Sequence, residues 1–142
     1  MIEVRLLHAS EEAILSYAVP DVFDNPVRAE LAREFLNDSR HHIVVALDVD
    51  AVVGFASAVH CVHPDKPAEL WINEVGVAVT YRGRGIARQI LETLLAHGRA
   101  LGCHVAWVLT DIGNEAARAL YASAGGTELS RDTVHVEFDL TK

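Results

Sequence analysis

Two periods of apolar residues run through the chain and predict its elements in turn. Ile2 to Leu7 ("IEVRLL") alternates and reads as a first strand. In "SEEAILSYA", Ser10 stands as a cap ahead of acidic residues, which predicts a helix. Asp21 to Pro26 reads as loop. A second helix comes next, with Pro26 at its start and Val27, Leu31 and Phe35 at helical spacing. The β-rich runs "HIVVAL" and "AVVGFASAV", joined by "DVD", predict a hairpin. "HCVHPDKPAE" is polar and proline-bearing and reads as loop. "LWINEVGVAV" is a further strand, interrupted by Gly76. The next helix carries Ile86, Ile90, Leu94 and Leu101 on one face, with Leu91 and Leu95 beside them and Gly102 as its cap. "HVAWVLT" is a strand, and "NEAARALYASA" a helix with Asn114 as N-cap. "TVHVEFDL" alternates as a final strand, and a short one near Gly126 to Leu129 is open.

This order, with two strand–helix crossovers, predicts an α/β fold. The sheet is mixed parallel and antiparallel, with six to seven strands and about four helices. The length of 142 residues suits one domain, 1–142, around a single core. Hydrophobic residues make up 51%, enough to fold alone. No apolar run approaches the ~20 residues of a membrane span. The first ten residues lack the pattern of a secretory signal. Cys61 and Cys103 form no disulfide framework, so reduced thiols and a cytoplasmic location are expected. Twenty acidic residues against 12 basic give a net charge of −8. That excess speaks against nucleic acid as a partner and for a cationic one.

The densest chemical signal is "VTYRGRGIARQ". A glycine-rich turn between a strand and a helix directs amides outward, at the positive end of the helix dipole, with arginines alongside. Such a site suits an anion, and arginine favours phosphate. It is not a P-loop, because no Lys-Ser/Thr comes after the glycines. Nor is it the dinucleotide fingerprint, whose third glycine would stand where Arg88 is. What remains is Arg82-x-x-Gly85-x-Ala87 directly after a strand. Within that strand, Gly76 suggests a bulge or a close backbone approach. A bulge would splay the strand from "HVAWVLT", the fourth from the fifth, and open a gap that admits an extended chain by strand-like pairing.

"NEVGVAVTYRGRGIARQIL" resembles the acetyl-coenzyme A motif of the GCN-five-related N-acetyltransferases (GNAT), and "NEAARALYASAGG" resembles their second signature. The resemblance implies acetyl-CoA as co-substrate and no metal. It also implies cofactor contacts at Val77, Ala78 and Val79 and at Arg82, Gly83, Arg84, Gly85, Ile86, Ala87 and Arg88, with Asn114 of the second signature. Val79 stands where the family often has proline, and Ala87 where it often has glycine. The added amide of Val79 is compatible with cofactor pairing. "ELWINEVGVAVTYRGRGIA", "RALYASAGG" and "HVEFDL" further resemble the aminoglycoside 3-N-acetyltransferase branch. That likeness implies a homodimer and an antibiotic-resistance role.

Acetyl transfer to an amine needs a base, a group to polarise the carbonyl and an acid for the leaving thiolate. The resemblance gives Tyr121 the acid's part; alternatively it is a half-buried aromatic on an apolar helix face. Glu74, inside an apolar strand, reads as base or substrate ligand, since desolvation would raise its pKa. By alternation it could instead face solvent. Asp111 ends the next strand and reads either as a carboxylate across the splay from Glu74 or as a helix-N-terminal acid. With Glu69 they make an acidic acceptor set fit for an amine. His60-Cys61-Val62-His63 has ligand types but no second pair at metal spacing. Three functions stay open: a small-molecule amine acetyltransferase directed at aminoglycosides, a protein, peptide or polyamine acetyltransferase, and a non-catalytic acetyl-CoA-binding module.

Overall fold

The computed structural model describes Met1–Lys142. Backbone contacts group the chain into two units, Met1–Leu109 and Thr110–Lys142. The first contains strands β1 (Ile2–Leu6), β2 (His41–Asp48), β3 (Ala51–Cys61), β4 (Glu69–Val77) and β5 (Val105–Val108). They lie in sequence order in one five-stranded sheet, and only β4 and β5 run parallel. A 3-10 helix (Glu12–Tyr17) and α1 (Ala29–Asn37) precede β2, and α2 (Ile86–Ala100) joins β4 to β5. The second unit contains α3 (Glu115–Ser123). No helix is long and apolar enough to cross a membrane.

β2 and β3 read as unbroken apolar runs because both faces of the sheet are covered. Ile43, Val45, Leu47 and Phe55 pack with Leu15, Val22, Ala32 and Leu36 on one side. On the other side α2 buries Ile86, Ile90, Leu91 and Leu94. It approaches closely: a Cβ built on Gly98 would stand 2.9 Å from Leu70 Cδ2, and one on Gly54 3.0 Å from Ile90 Cδ1. Gly102, with φ 84°, ends α2 by donating to Arg99 O, while Cys103 N donates to Gly98 O, both at 3.0 Å. These are the paired bonds of a Schellman cap.

Several expectations are corrected. The sheet has five strands, not six or seven. "TVHVEFDL" and the stretch 126–129 form no ladder, and Val134, Val136, Phe138 and Leu140 are exposed. Alternation specifies a face, but a strand also needs a partner for its amides. Ser10 caps nothing; it has φ 74°, and Glu11 instead accepts from His8 N at 2.8 Å and from Arg5 at 2.8 Å. The first helix is a 3-10 helix. α1 starts at Ala29, not Pro26, and buries Ala32 and Leu36 while Leu31 is exposed. Leu101 is exposed as well, one turn past the buried stripe of α2. β3 runs on through His60 and Cys61, which the proline-bearing segment had suggested were loop.

That extension brings His60 to the buried His42 of β2. His42 Nε2 faces His60 Nδ1 at 2.8 Å, and His42 Nδ1 faces His97 Nε2 of α2 at 2.9 Å. Each of the two links needs one proton between its nitrogens, and the outer nitrogens of His60 and His97 can hold one more each. The chain of rings therefore carries a single proton beyond neutrality with both links intact; a second proton breaks a link. Burial lowers the His42 pKa to about 4, assisted by His97, His60 and His41 and opposed by Asp38. Burial also lowers His97, which faces His8 and His60. The unfolded chain, with histidine near pKa ~6.5, then binds more protons than the folded one at mildly acid pH. Stability is full above that value and falls as pH drops from about 6.5 towards about 4. Urea midpoints measured across this range should decline, and His42→Gln, which cannot titrate, should flatten the slope. An undiminished slope in the variant would assign the acid sensitivity elsewhere.

Candidate active site

β4 ends at Val77, and the chain turns through a 3-10 segment, Val79–Tyr81, into α2. Gly83 and Gly85 both take φ 77°, and a Cβ on either would meet nothing within 4 Å. Backbone conformation rather than crowding thus asks for glycine, since a Cβ in the left-handed region costs about 1 kcal/mol or more. Gly85 is the N-cap of α2. No N–H from Gly83 through Arg88 donates to a protein acceptor; the first bond that closes the helix runs from Gln89 N to Gly85 O at 3.2 Å. A row of free amides at a helix N-terminus is an anion cradle.

The arginines act differently from the sequence expectation of guanidinium groups free to grip an anion. Arg82 Nε donates to Val77 O at 3.0 Å, and Arg84 Nη2 to Thr80 O at 3.2 Å. The Arg84 guanidinium also lies 5.1 Å over the Tyr81 ring. Arg88 pairs with Glu92 at 2.7 Å. Carbonyls left bare by the turn take up these donors. The main chain thus offers the free donors, and Arg82 and Arg84 brace the turn while keeping positive charge beside it.

The backbone at Val77, Ala78 and Val79 is also partly engaged. Ala78 N donates to Val53 O and Val79 N to the Asp21 carboxylate, each at 2.8 Å. The amides of Ala78 and Val79 are therefore not free for a cofactor, which corrects that expectation: with valine in place of proline at 79, Asp21 has an N–H to take. Val77 differs. Ladder bonds alternate along an antiparallel strand, so the Ala78–Val53 bond puts Gly76 and Glu74 in the bonds to β3. Val75 and Val77 turn the other way, to the β5 side. There β5 pairs with β4 only from Glu69–Val105 to Ile72–Val108. Beyond Ile72 the β4 edge has no partner strand in this unit.

The divergence begins at a bulge. Ser57 pairs with Glu74 and Ala58 with Ile72, which leaves Asn73 extra. The bulge is thus at Asn73, not Gly76. Gly76 answers the other expectation, a close approach: a Cβ there would stand 2.9 Å from Val22 O and 3.1 Å from the Phe55 ring.

Glu74 borders a cleft of about 300 Å³ whose lining includes Phe23, Asp24, Leu31, Phe35, Phe55 and Arg28. It faces the side of the sheet that carries α1 and the 3-10 helix, with its carboxylate open to solvent at the cleft's mouth. Partial burial raises its pKa, and the negative charge of Asp24 adds to the rise. Glu69 does not join it. It pairs with Lys66 at 3.4 Å, roughly 13 Å up the strand at ~3.3 Å per residue with the bulge discounted. In the second unit, Asp111 O accepts from Asn114 N at 2.9 Å, and the Asn114 side chain caps α3 by accepting from Ala117 N at 3.1 Å. Burial raises the Tyr121 phenol above its usual value.

Residues 7–125 match the family described as Acetyltransferase (GNAT). The chain belongs to this family. GNAT acetyltransferases use acetyl-CoA. Among curated relatives, the chain is 35% identical over 104 residues to the N-alpha-acetyltransferase RimI of Mycobacterium tuberculosis, covering 73% of this chain and 63% of that protein. It is 36% identical over 102 residues to the uncharacterized protein ML0378 of Mycobacterium leprae, covering 72% of this chain and 27% of that protein. The chain thus spans less than two thirds of either relative. Among solved structures, an aminoglycoside acetyltransferase, HMB0005, from an uncultured soil metagenomic sample superposes with TM-score 0.79 at 25% identity, covering 97% of both chains.

Sequence reasoning missed Asp24, which looked like loop, and Asp21, whose partner is 58 residues away. It also missed the open amide of Val75, which only the register of β4 reveals. The cleft's electrostatics give a direct check. The Glu74 carboxyl, monitored by NMR titration, should have a pKa above its ordinary value, and Asp24→Asn should bring it part of the way down. A Glu74 titration indifferent to Asp24→Asn would separate the two groups.

Proposed function

We propose that the protein is an acetyl-CoA-dependent N-acetyltransferase that modifies a primary amine of a small cationic acceptor of the aminoglycoside kind. The observation that carries this reading is the row of unpartnered amides from Gly83 to Arg88, continued by the open β4 edge towards Glu74. Main-chain donors at a helix N-terminus fit a pyrophosphate, and the edge at Val75, with the N–H of Val77, fits an amide-bearing arm. Acetyl-CoA supplies the acetyl group as a thioester. Glu74, its pKa raised, takes the proton of the acceptor's ammonium, and Asp24 adds negative charge at the same cleft. Tyr121 is the proposed acid for the leaving thiolate, and Asn114 and Asp111 serve it by fixing the start of α3. The acidic net charge and the 25%-identical aminoglycoside acetyltransferase support the acceptor class. The single domain, the dimer and the cytoplasmic location remain parts of this proposal.

A second reading has its own support. The cleft is walled by Phe23, Phe35 and Phe55 and includes Arg28, a lining suited to one ammonium on an apolar residue, as at a peptide N-terminus. The RimI relative agrees with it. Thiol release measured with a panel of aminoglycosides, polyamines and peptides decides between them: turnover of peptides alone would replace the small-molecule reading, and turnover of none would leave a binding module. With the best acceptor, Glu74→Gln should lower kcat, with partial rescue at higher pH as more amine is neutral. Unaltered kinetics across pH would remove Glu74 from the mechanism.

The cradle is tested separately. Gly85→Asp sets a carboxylate and a strained φ among the amides. Acetyl-CoA affinity by calorimetry should fall at least a hundredfold while the circular dichroism spectrum is kept. In parallel, Tyr121→Phe should lower kcat by roughly ten- to a thousand-fold with donor affinity unchanged, the scale of one general acid. Undiminished affinity or undiminished turnover would overturn the corresponding assignment.

A further inference from the structure

The sheet face that carries Glu74 continues past the cleft. Ser57 lies opposite Glu74, Val59 opposite Trp71 and Cys61 opposite Glu69. Residues directly paired share a face, and so do alternate residues of β3. Glu69, Trp71 and Glu74 therefore stand on one face, although Trp71 and Glu74 are separated by an odd number of positions. The extra residue Asn73 makes this so. Trp107 pairs with Trp71 across β4 and β5, and the two indoles stack with centroids 5.4 Å apart and planes 12° from parallel. The 3-10 helix and α1 pack on β3 and β2, at the other end of this face. Trp71 is 37% exposed, and Val105 beside it 51%.

Stacked indoles, Trp71 exposed and Trp107 half-buried, flanked along the strand by carboxylates, form a surface for a cation. Aromatic faces attract ammonium groups, and the carboxylates add a directional charge. Lys66 already draws up to Glu69 at 3.4 Å. With a net charge of −8, the chain attracts polycations from a distance. We infer that Trp71 and Trp107 form a specificity platform that holds a second, non-reacting ammonium of the acceptor, or the ring bearing it, while the reacting amine lies at Glu74. This rests on the amine-acetyltransferase reading above. The strand spacing from Trp71 to Glu74, roughly 7 Å with the bulge discounted, sets the acceptor's form: two or more ammonium groups at about that separation. A monoamine reaches Glu74 alone and gains nothing from the platform.

Trp71 and Trp107 are the chain's two tryptophans, so fluorescence excited selectively at the indoles, and not at the three tyrosines, reports on the platform. Titrating the full chain with kanamycin or spermidine should change the emission saturably, and n-butylamine should not. In Trp71→Leu, KM for the polycationic acceptor should rise at least tenfold with kcat within twofold, and KM for n-butylamine should stay unchanged. Trp107→Leu should behave alike, which guards against a folding defect in one variant. Emission indifferent to polycations in an enzyme that acetylates them would overturn the platform. So would an equal rise in KM for mono- and polyamines. Emission that depends on protein concentration, with Trp71→Leu converting a dimer to monomers in sedimentation, would also overturn it and make the pair an interface. If no amine is acetylated yet emission still responds saturably to polycations, the indole pair binds cations, and the catalytic reading falls together with the platform's role in holding an acceptor.

Discussion

A single surplus residue in β4 organises the unit from Met1 to Leu109. Where Asn73 bulges out against Ser57 and Ala58, one strand changes its allegiance. Before the bulge, β4 is an interior strand, laddered on both edges and buried at Leu70 and Ile72. After it, β4 keeps β3 but loses β5, and its second edge opens at Val75 and Val77. The same surplus reverses the strand's facing, so that Trp71 and Glu74 look out on one side. Pairing, opening and facing are therefore not three separate arrangements. They result from one count of two residues against one.

The opening is useful only because the turn and helix beyond it are rigid. α2 is seated against the sheet by contacts that leave no room for a methyl group, at Gly98 on Leu70 and at Gly54 under Ile90. A well-formed cap fixes its far end. Its near end hangs from a turn tied on three sides: Asp21 holds Val79, Tyr81 holds Asp48, and Arg82 holds Val77. The amides from Gly83 to Arg88 are thus set in place by the fold itself, so that an anion bound there would meet none of the ordering cost of a mobile loop.

How much of this was legible beforehand depended on the range of the cause. α2, its glycine cap and the Asn114 cap of α3 are local, and the sequence showed them. The glycine turn between β4 and α2 was legible because its backbone demands are local too. The split of β4 from β5 was expected for the wrong residue: Gly76 looks like a bulge, but its missing Cβ serves contact with Val22 and Phe55, while Asn73 has no compositional mark at all. Arg82 and Arg84 looked like free donors because a sequence does not show which carbonyls a turn leaves bare. Asp21 and Asp24 were invisible as site residues, since their partners are distant in the chain. At the other extreme, Val134 to Leu140 has every local sign of a strand and forms none, because nothing local supplies the partner.

The cradle at the start of α2 is made of N–H groups, which every residue except proline possesses. Its hydrogen bonding is therefore nearly indifferent to the side chains at Ala87 and Arg88, provided Gly83 and Gly85 keep their left-handed turn and Arg84 its hold on Thr80 O. The acceptor face has the opposite property. On the proposed reading Glu74, Asp24, Trp71 and Trp107 would act through their side chains, none of which holds a turn or a cap. One half of the molecule is thus written in conformation and the other in composition. On the proposed reading, a frame of this kind lets one acceptor be exchanged for another while the donor stays the same.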